Sequence, residues 1–347
     1  MRIQRTWRRA AAAALLLIGA AWQAQAGDAA PPPATPAAAP GGRACPPDAR
    51  PPTEAEMRSG MAAARDRGFL WRIERDGRTS WLYGTIHLGR PDWIYPGPAL
   101  RTALQGSRQL AMELDLSDPA VLEKLRQPPS GPAPALTAAL QQRLSAQAAD
   151  ACLPEAQLAA LHPVLQVVTL TVLAGRRDGL HPAWAQESAL LGWARQLKRP
   201  VTGLETPELQ QAALIPDDPA DSVVLLEQGL SQLEDGRARS LLLRLASAWE
   251  RGDLDELASY EQWCDCMNTA EERATVDALL GDRNPAMAER IAALHAQGEV
   301  LAAVGALHMT GDRALPVLLQ KKGFRVERVV FPRAGAARAG APGGRAP

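Results

Sequence analysis

Two distant runs of the chain end in the same way. Gly84-Thr85-Ile86-His87 closes an apolar segment that begins at Thr79, and Gly305-Ala306-Leu307-His308 closes one that begins at Leu301. Each delivers a histidine three residues after a glycine, a residue that lets another backbone or a ligand come close. Imidazole is both a proton carrier near neutral pH and a common metal ligand. Only five histidines occur in 347 residues, so the repeated context points to one shared site. His162 and His181, each before a proline, read as a packing histidine and a helix-boundary residue. His295 reads as lying on the exposed side of its helix.

Carboxylates extend the pattern. Met112-Glu113-Leu114-Asp115 sets Glu113 inside an otherwise apolar run, and alternation along a strand would put Ala111, Glu113 and Asp115 on one face. A carboxylate there is costly unless it is paired, hydrogen-bonded or bound to a metal. Glu205, in Gly203-Leu204-Glu205-Thr206, makes the same demand. Arg283-Asn284 offers either a salt-bridge partner for these glutamates or a group that positions a substrate carbonyl or carboxylate. Two imidazoles with one or two carboxylates make a nitrogen and oxygen ligand set suited to Zn, Mn, Co or Fe. An ion so held would lower the pKa of a bound water and polarise a carbonyl. A carboxylate outside the ligand set would then serve as general base. The His-Glu-x-x-His, Gly-x-Ser-x-Gly, P-loop and dinucleotide motifs are absent from the sequence, which sets aside the ordinary chemistries they carry.

The elements that must position these groups follow from pattern. Residues 69–75 and 79–86, joined across Asp76-Gly77, predict a hairpin. Residues 98–107 predict a helix entered at a proline and leading into a strand over 108–116. Leu136, Leu140 and Leu144 recur at helical spacing. Residues 158–173 predict a buried helix, too short for the usual membrane span. A helix over 184–197 and a short strand from 198 that runs into a loop at Glu205 come next. Residues 222–249 read as a long helical stretch broken near Asp235-Gly236, and Gly252 starts another helix toward Cys264. A helix over 285–297 carries Met287, Ile291 and Leu294 on one face. A strand over 300–307, a helix over 312–322 ended by Gly323 and a strand over 324–330 close the chain. Early strands, a helical middle and a closing strand-helix-strand predict an α/β fold. It has a central mixed sheet flanked by helices and a helical insertion over about 128–270.

The ends of the chain read differently. Residues 1–26 have the form of a secretory signal, with Arg2, Arg5, Arg8 and Arg9 ahead of an apolar core and Ala24-Gln25-Ala26 at the cut. No transmembrane span is expected after cleavage, and no cysteine follows the cut to take a lipid. Residues 27–44 and 331–347 are Ala, Pro and Gly rich and read as unstructured, which leaves 45–330 as the folded part. The 38 Lys and Arg balance 38 Asp and Glu, and loss of the four leader arginines leaves a formal charge of −4. With no aromatic-basic interleaving, nucleic acid is a poor partner. An exported chain permits disulfides among Cys45, Cys152, Cys264 and Cys266. The expected link ties Cys45 or Cys152 to the later pair, and Cys264–Cys266 is the least attractive because its ring is tight.

Taken in order, several segments resemble the TraB/GumN family. They are Tyr83-Gly84-Thr85-Ile86-His87, Met112-Glu113-Leu114-Asp115, Gly203-Leu204-Glu205-Thr206, Arg283-Asn284 and Val304-Gly305-Ala306-Leu307-His308. That family includes the plasmid pheromone-shutdown proteins and, more distantly, the animal Tiki ectodomains. The resemblance runs from about Phe69 to Val330. It implies a fold like the erythromycin-esterase and ChaN-like α/β proteins, and a metal-dependent, peptidase-like activity of the kind shown for the Tiki branch. Carried over residue by residue, the family's paired histidines fall on His87 and His308, its glutamates on Glu113 and Glu205, and its arginine on Arg283. The Gly-x-Asp segment that many members carry ahead of the central helix has no matching aspartate in residues 180–188.

The expectation is therefore a periplasmic or secreted, metallopeptidase-like hydrolase acting on a peptide or protein. His87, His308 and Glu113 would hold a divalent ion (Mn, Co or Zn), with Glu205 as base or outer ligand and Arg283 steadying the substrate or oxyanion. The alternative is a non-enzymatic protein that sequesters a peptide or other ligand in the same pocket. A third reading has no metal and locks the histidines and glutamates into salt bridges.

Overall fold

A computed structural model describes residues 44–127, 129 and 133–331. The expected leader, the tether up to residue 43 and the tail from residue 332 lie outside the described residues. Asp76 and Gly77 both take positive φ, 52° and 71°, which is what a tight two-residue hairpin turn demands. They join β1 (Phe69–Arg75) to β2 (Arg78–Thr85) with Phe69 opposite Gly84. Four further strands, β3 (Gln109–Met112), β4 (Val201–Gly203), β5 (Val300–Gly305) and β6 (Arg325–Val329), complete a six-stranded sheet in the order β4-β3-β5-β2-β1-β6.

The sheet is mixed. β4, β3, β5 and β2 run parallel, while β1 is antiparallel to both β2 and β6. β5 is buried along its whole length, as its unbroken Val-Leu-Ala-Ala-Val-Gly run requires of a strand covered on both faces. The register aligns the strand ends: Thr85 lies opposite Gly305, Ala303 opposite Met112, and Met112 opposite Gly203. The C-terminal ends of all four parallel strands therefore open on one edge, where ligand sites of such sheets tend to form.

Between Met112 and Val300 the single strand among the described residues is β4, and the rest is mainly helical. The helix Pro163–Leu173 is buried at ten of its positions and packs against Ala138–Asp150, Pro219–Glu234 and Arg237–Arg251. Gly229 makes one of these crossings possible, since a Cβ there would stand 2.7 Å from Val167 Cγ2. The long helical stretch breaks where expected, at Gly236 with φ 78°. No helix among the described residues is long and apolar enough to cross a membrane. Trp249 ties this helical part to the sheet, donating from Nε1 to the Gly84 carbonyl at 2.8 Å and packing against Trp93 at 5.0 Å between ring centroids.

Several expectations are corrected. The strand expected over 108–116 ends at Met112, because the chain then turns and Asp115 accepts from the Ser117 amide at 2.9 Å. The helix expected from Gly252 is two short ones, Leu254–Ala258 and Tyr260–Trp263. His295 is buried, not exposed: its ring bridges Ser80 Oγ at 2.8 Å and the Arg75 carbonyl at 3.0 Å, and packs edge-on to Phe324. The cysteines pair as Cys45–Cys152 and Cys264–Cys266, the combination that contains the least attractive ring. Asp265, with φ 51°, supplies the left-handed turn that lets this tight ring close. Disulfides are compatible with an exported chain.

Candidate active site

The parallel register brings the expected residues together. Gly305 ends β5, and an ideal Cβ placed there would stand 3.3 Å from Glu113 Oε1, 3.6 Å from His308 Cδ2 and 3.7 Å from His87 Nε2. His87, from the end of β2, His308, from the turn after β5, and Glu113, from the end of β3, thus face one point in space. Glycine keeps that point open. Glu205, just past β4, and Arg283, at the start of the helix Asn284–Gln297, complete the group.

Arg283 is the hub of the carboxylates. Its Nη2 donates to Glu113 Oε2 at 2.8 Å and to Glu205 Oε2, its Nε to Glu205 Oε1 at 2.8 Å, and its Nη1 to the Leu279 carbonyl at 2.9 Å. The other Nη1 hydrogen is left facing His308 Nε2 at 3.5 Å. Glu113 is fully engaged: Oε1 accepts from the Gly305 amide at 2.9 Å, and Oε2 also accepts from Gln210 Nε2 at 3.1 Å. The two glutamates thus find the salt-bridge partner that the sequence offers them. Arg283 has no spare N–H aimed at open space for an oxyanion.

The two histidines are held differently. Asn284 Nδ2 donates to the carbonyls of His308 and Arg313, which turns Oδ1 toward His308 Nδ1 at 2.6 Å. His308 therefore carries its proton on Nδ1 and keeps a lone pair on Nε2. Burial pushes this imidazole down to about 3, with Arg283 adding to the shift against the pull of Glu113. His87 Nδ1 lies 3.1 Å from Glu187 Oε1, an ion-pair contact off the line of a good hydrogen bond. Its Nε2 is buried with no hydrogen-bond partner. Burial pushes the His87 ring down, but Glu187 and then Glu113 outweigh it and hold it above its ordinary value. Burial likewise opposes ionisation of Glu113, yet Arg283 with the two histidines brings that carboxyl down to about 2. For Glu205 burial wins, and its carboxyl is raised despite Arg283.

Whether this set fits a divalent ion has two answers. The donor chemistry fits. A buried imidazole nitrogen lacks a partner, a second has a lone pair met only by Arg283 Nη1 at 3.5 Å, a glycine leaves room beside them, and carboxylates stand beside both rings. The spacing is less complete: among the described residues no group of three or more His, Cys, Asp or Glu is placed to hold a metal ion. Glu113, expected as a ligand, is instead the anchor of Arg283 and of the Gly305 amide.

Sequence reasoning missed Glu187, Gln210 and the role of Asn284. Glu187 comes from the stretch that lacks the family's aspartate. It reaches His87 because residues 180–188 run beside 86–89, through the Gly89–His181 bridge and the Gln186 amide donating to the Ile86 carbonyl at 3.1 Å. Gly89 permits this approach, since a Cβ there would meet the Trp184 carbonyl oxygen at 2.4 Å. The signal in the sequence is a glutamate in the first turn of a mixed polar and apolar helix; nothing local tells that it is buried.

The model of the TraB/PrgY/gumN family matches residues 69–328, and the chain belongs to that family. An uncharacterized protein, YbaP of Shigella flexneri, is 27% identical over 276 residues, which covers 75% of this chain and 96% of that protein. No solved structure matches the chain.

Proposed function

We propose that this chain is a hydrolase of peptide-like carbonyl substrates, with a divalent ion held between His87 and His308 when the site is loaded. The observation that supports this reading best is the convergence of two imidazoles beside Gly305: His87, whose Nε2 is buried without a hydrogen-bond partner, and His308, whose Nε2 lone pair meets only Arg283 Nη1 at a long 3.5 Å. When bound, the ion would polarise the carbonyl and make a water acidic enough to attack it. The chain's own residues supply the rest. Asn284 fixes the His308 tautomer, and Glu187 steadies the His87 ring from its Nδ1 side. Glu113 and Glu205 hold the Arg283 guanidinium, whose role is to position these groups. Glu205, raised by burial, is the carboxyl suited to accept a proton as general base.

The test is peptide hydrolysis by the mature chain, stripped with chelator and then given Mn, Co or Zn. Turnover should vanish on stripping, return with an ion, and be lost in His87→Ala and His308→Ala. Saturable binding with intact peptide recovered would replace catalysis with sequestration. Turnover that survives stripping would leave acid–base chemistry by His87 and Glu187 without a metal.

A further inference from the structure

Away from this site, an open cavity of 470 Å³ is lined on one side by residues from 47 to 60, part of the strap 44–63 at the N-terminal end of the described chain. This strap forms one wall of the cavity without being built into the core: its helix Glu54–Ala63 has no buried residue. It is held by the Cys45–Cys152 disulfide and by Arg177 Nη1 donating to the Ala44 carbonyl at 2.9 Å. The opposite wall is formed by Pro91–Tyr95 residues, Gly179, His181, Trp184 and one buried cation, Arg176.

Arg176 has an unusual anion. Its side chain is 5% exposed, Nη1 donates to the Ala151 carbonyl at 3.2 Å and Nη2 to the Pro46 carbonyl of the strap at a long 3.5 Å, while Nε is buried with no partner. The carboxylate that faces it is Asp48 of the strap, 3.0 Å from Nη2, and the Asp48 side chain is 90% exposed. A buried guanidinium needs a counter-anion, and losing one is costly. A carboxylate that stays in water gives up little on leaving. The pairing is therefore essential to one partner and nearly free for the other. Burial, with Arg176 beside it, brings His181 down to about 4, so that ring adds no competing positive charge at neutral pH.

We propose that Arg176 is a binding site for a carboxylate presented from outside the chain, and that Asp48 is an internal surrogate occupying it in competition. The cavity has the size of a small-molecule or short-peptide site. Ligands of two sources share the chemistry, a free small organic acid and the C-terminal carboxylate of a peptide. The inference does not depend on the reading of His87 and His308.

Calorimetric titration of the mature, disulfide-intact chain tests it with three probes: glutarate, acetyl-trialanine with a free carboxylate, and the same tripeptide amidated. Asp48→Asn keeps the size of the strap residue and removes the competing charge. A tethered group acts at an effective concentration on the order of millimolar, so the acid probe should bind at least about tenfold tighter to this variant than to wild type. The amide should not bind. Arg176→Gln should abolish binding; Arg176→Lys, which keeps the charge if the first variant does not fold, should weaken it. Preference for the peptide acid or for glutarate identifies the source. Equal affinity of Asp48→Asn and wild type, binding of the amide as tightly as the acid, or no binding at all overturns the proposal.

Discussion

Glu113 and His308 show how a buried polar residue acquires its role from partners that the sequence hides. Glu113 is legible as a carboxylate in need of a partner, with Arg283 as one candidate. Gln210 and the Gly305 amide are not legible, because they come from other elements. Replacing Glu113 by Gln leaves Arg283 with Glu205 alone, and should cost up to about 3 kcal/mol in urea unfolding at neutral pH. The sign of its pH dependence follows from its depressed value. Glu113 contributes stability that is full above its ordinary 4.5 and is lost as pH falls toward about 2. Glu113→Gln should flatten that acid limb while lowering the plateau. His308, held neutral with a folded value of about 3 against an ordinary 6.5, contributes stability that is present above 6.5 and lost as pH falls toward 3. His308→Gln should remove that slope. A wild-type profile flat from pH 6.5 to 3 would contradict both assignments.

At the scale of elements, the two glycines ahead of the histidines do different work, although the sequence presents them as a matched pair. A Cβ at Gly84 would press 3.3 Å from the Ala306 Cα, a backbone atom that cannot step aside. A Cβ at Gly305 would meet side chains, Glu113 Oε1 at 3.3 Å first, and would fill the point between the rings. Gly84→Ala should therefore lose about 1–3 kcal/mol of stability. Gly305→Ala should keep most of the stability and lose activity and ion binding; the reverse pattern in melting and activity measurements would refute the distinction. The helices and strands are largely readable from periodicity, yet the parallel neighbours are not. Pattern gives strand ends, and only the register of β2, β5, β3 and β4 makes them one edge. Glu187 escapes for the same reason, since its burial is set by the Gly89–His181 contact and not by its own neighbours.

For the whole molecule, the α/β class with a mixed sheet and helical middle follows from the order of elements. The disulfide pairing does not, because Cys45 and Cys152 are separated by 107 residues and meet through the path of the N-terminal strap. That separation makes the bond a large restraint on the unfolded chain. Cys45→Ser with Cys152→Ser should cost about 2–5 kcal/mol, measured by denaturant unfolding. The Cys264–Cys266 ring restrains a separation of only 2, and its removal should cost well under half as much. Equal losses for the two double variants would mean that the strap bond does not constrain the chain as described.

The most direct measurement is a Co²⁺ titration of the stripped chain, followed by visible absorption. One ion per chain should bind with the bands of nitrogen ligation. His87→Ala and His308→Ala should each abolish those bands while retaining the wild-type circular dichroism. Identical Co²⁺ spectra and stoichiometry in wild type and both variants would show that the two imidazoles beside Gly305 hold no ion.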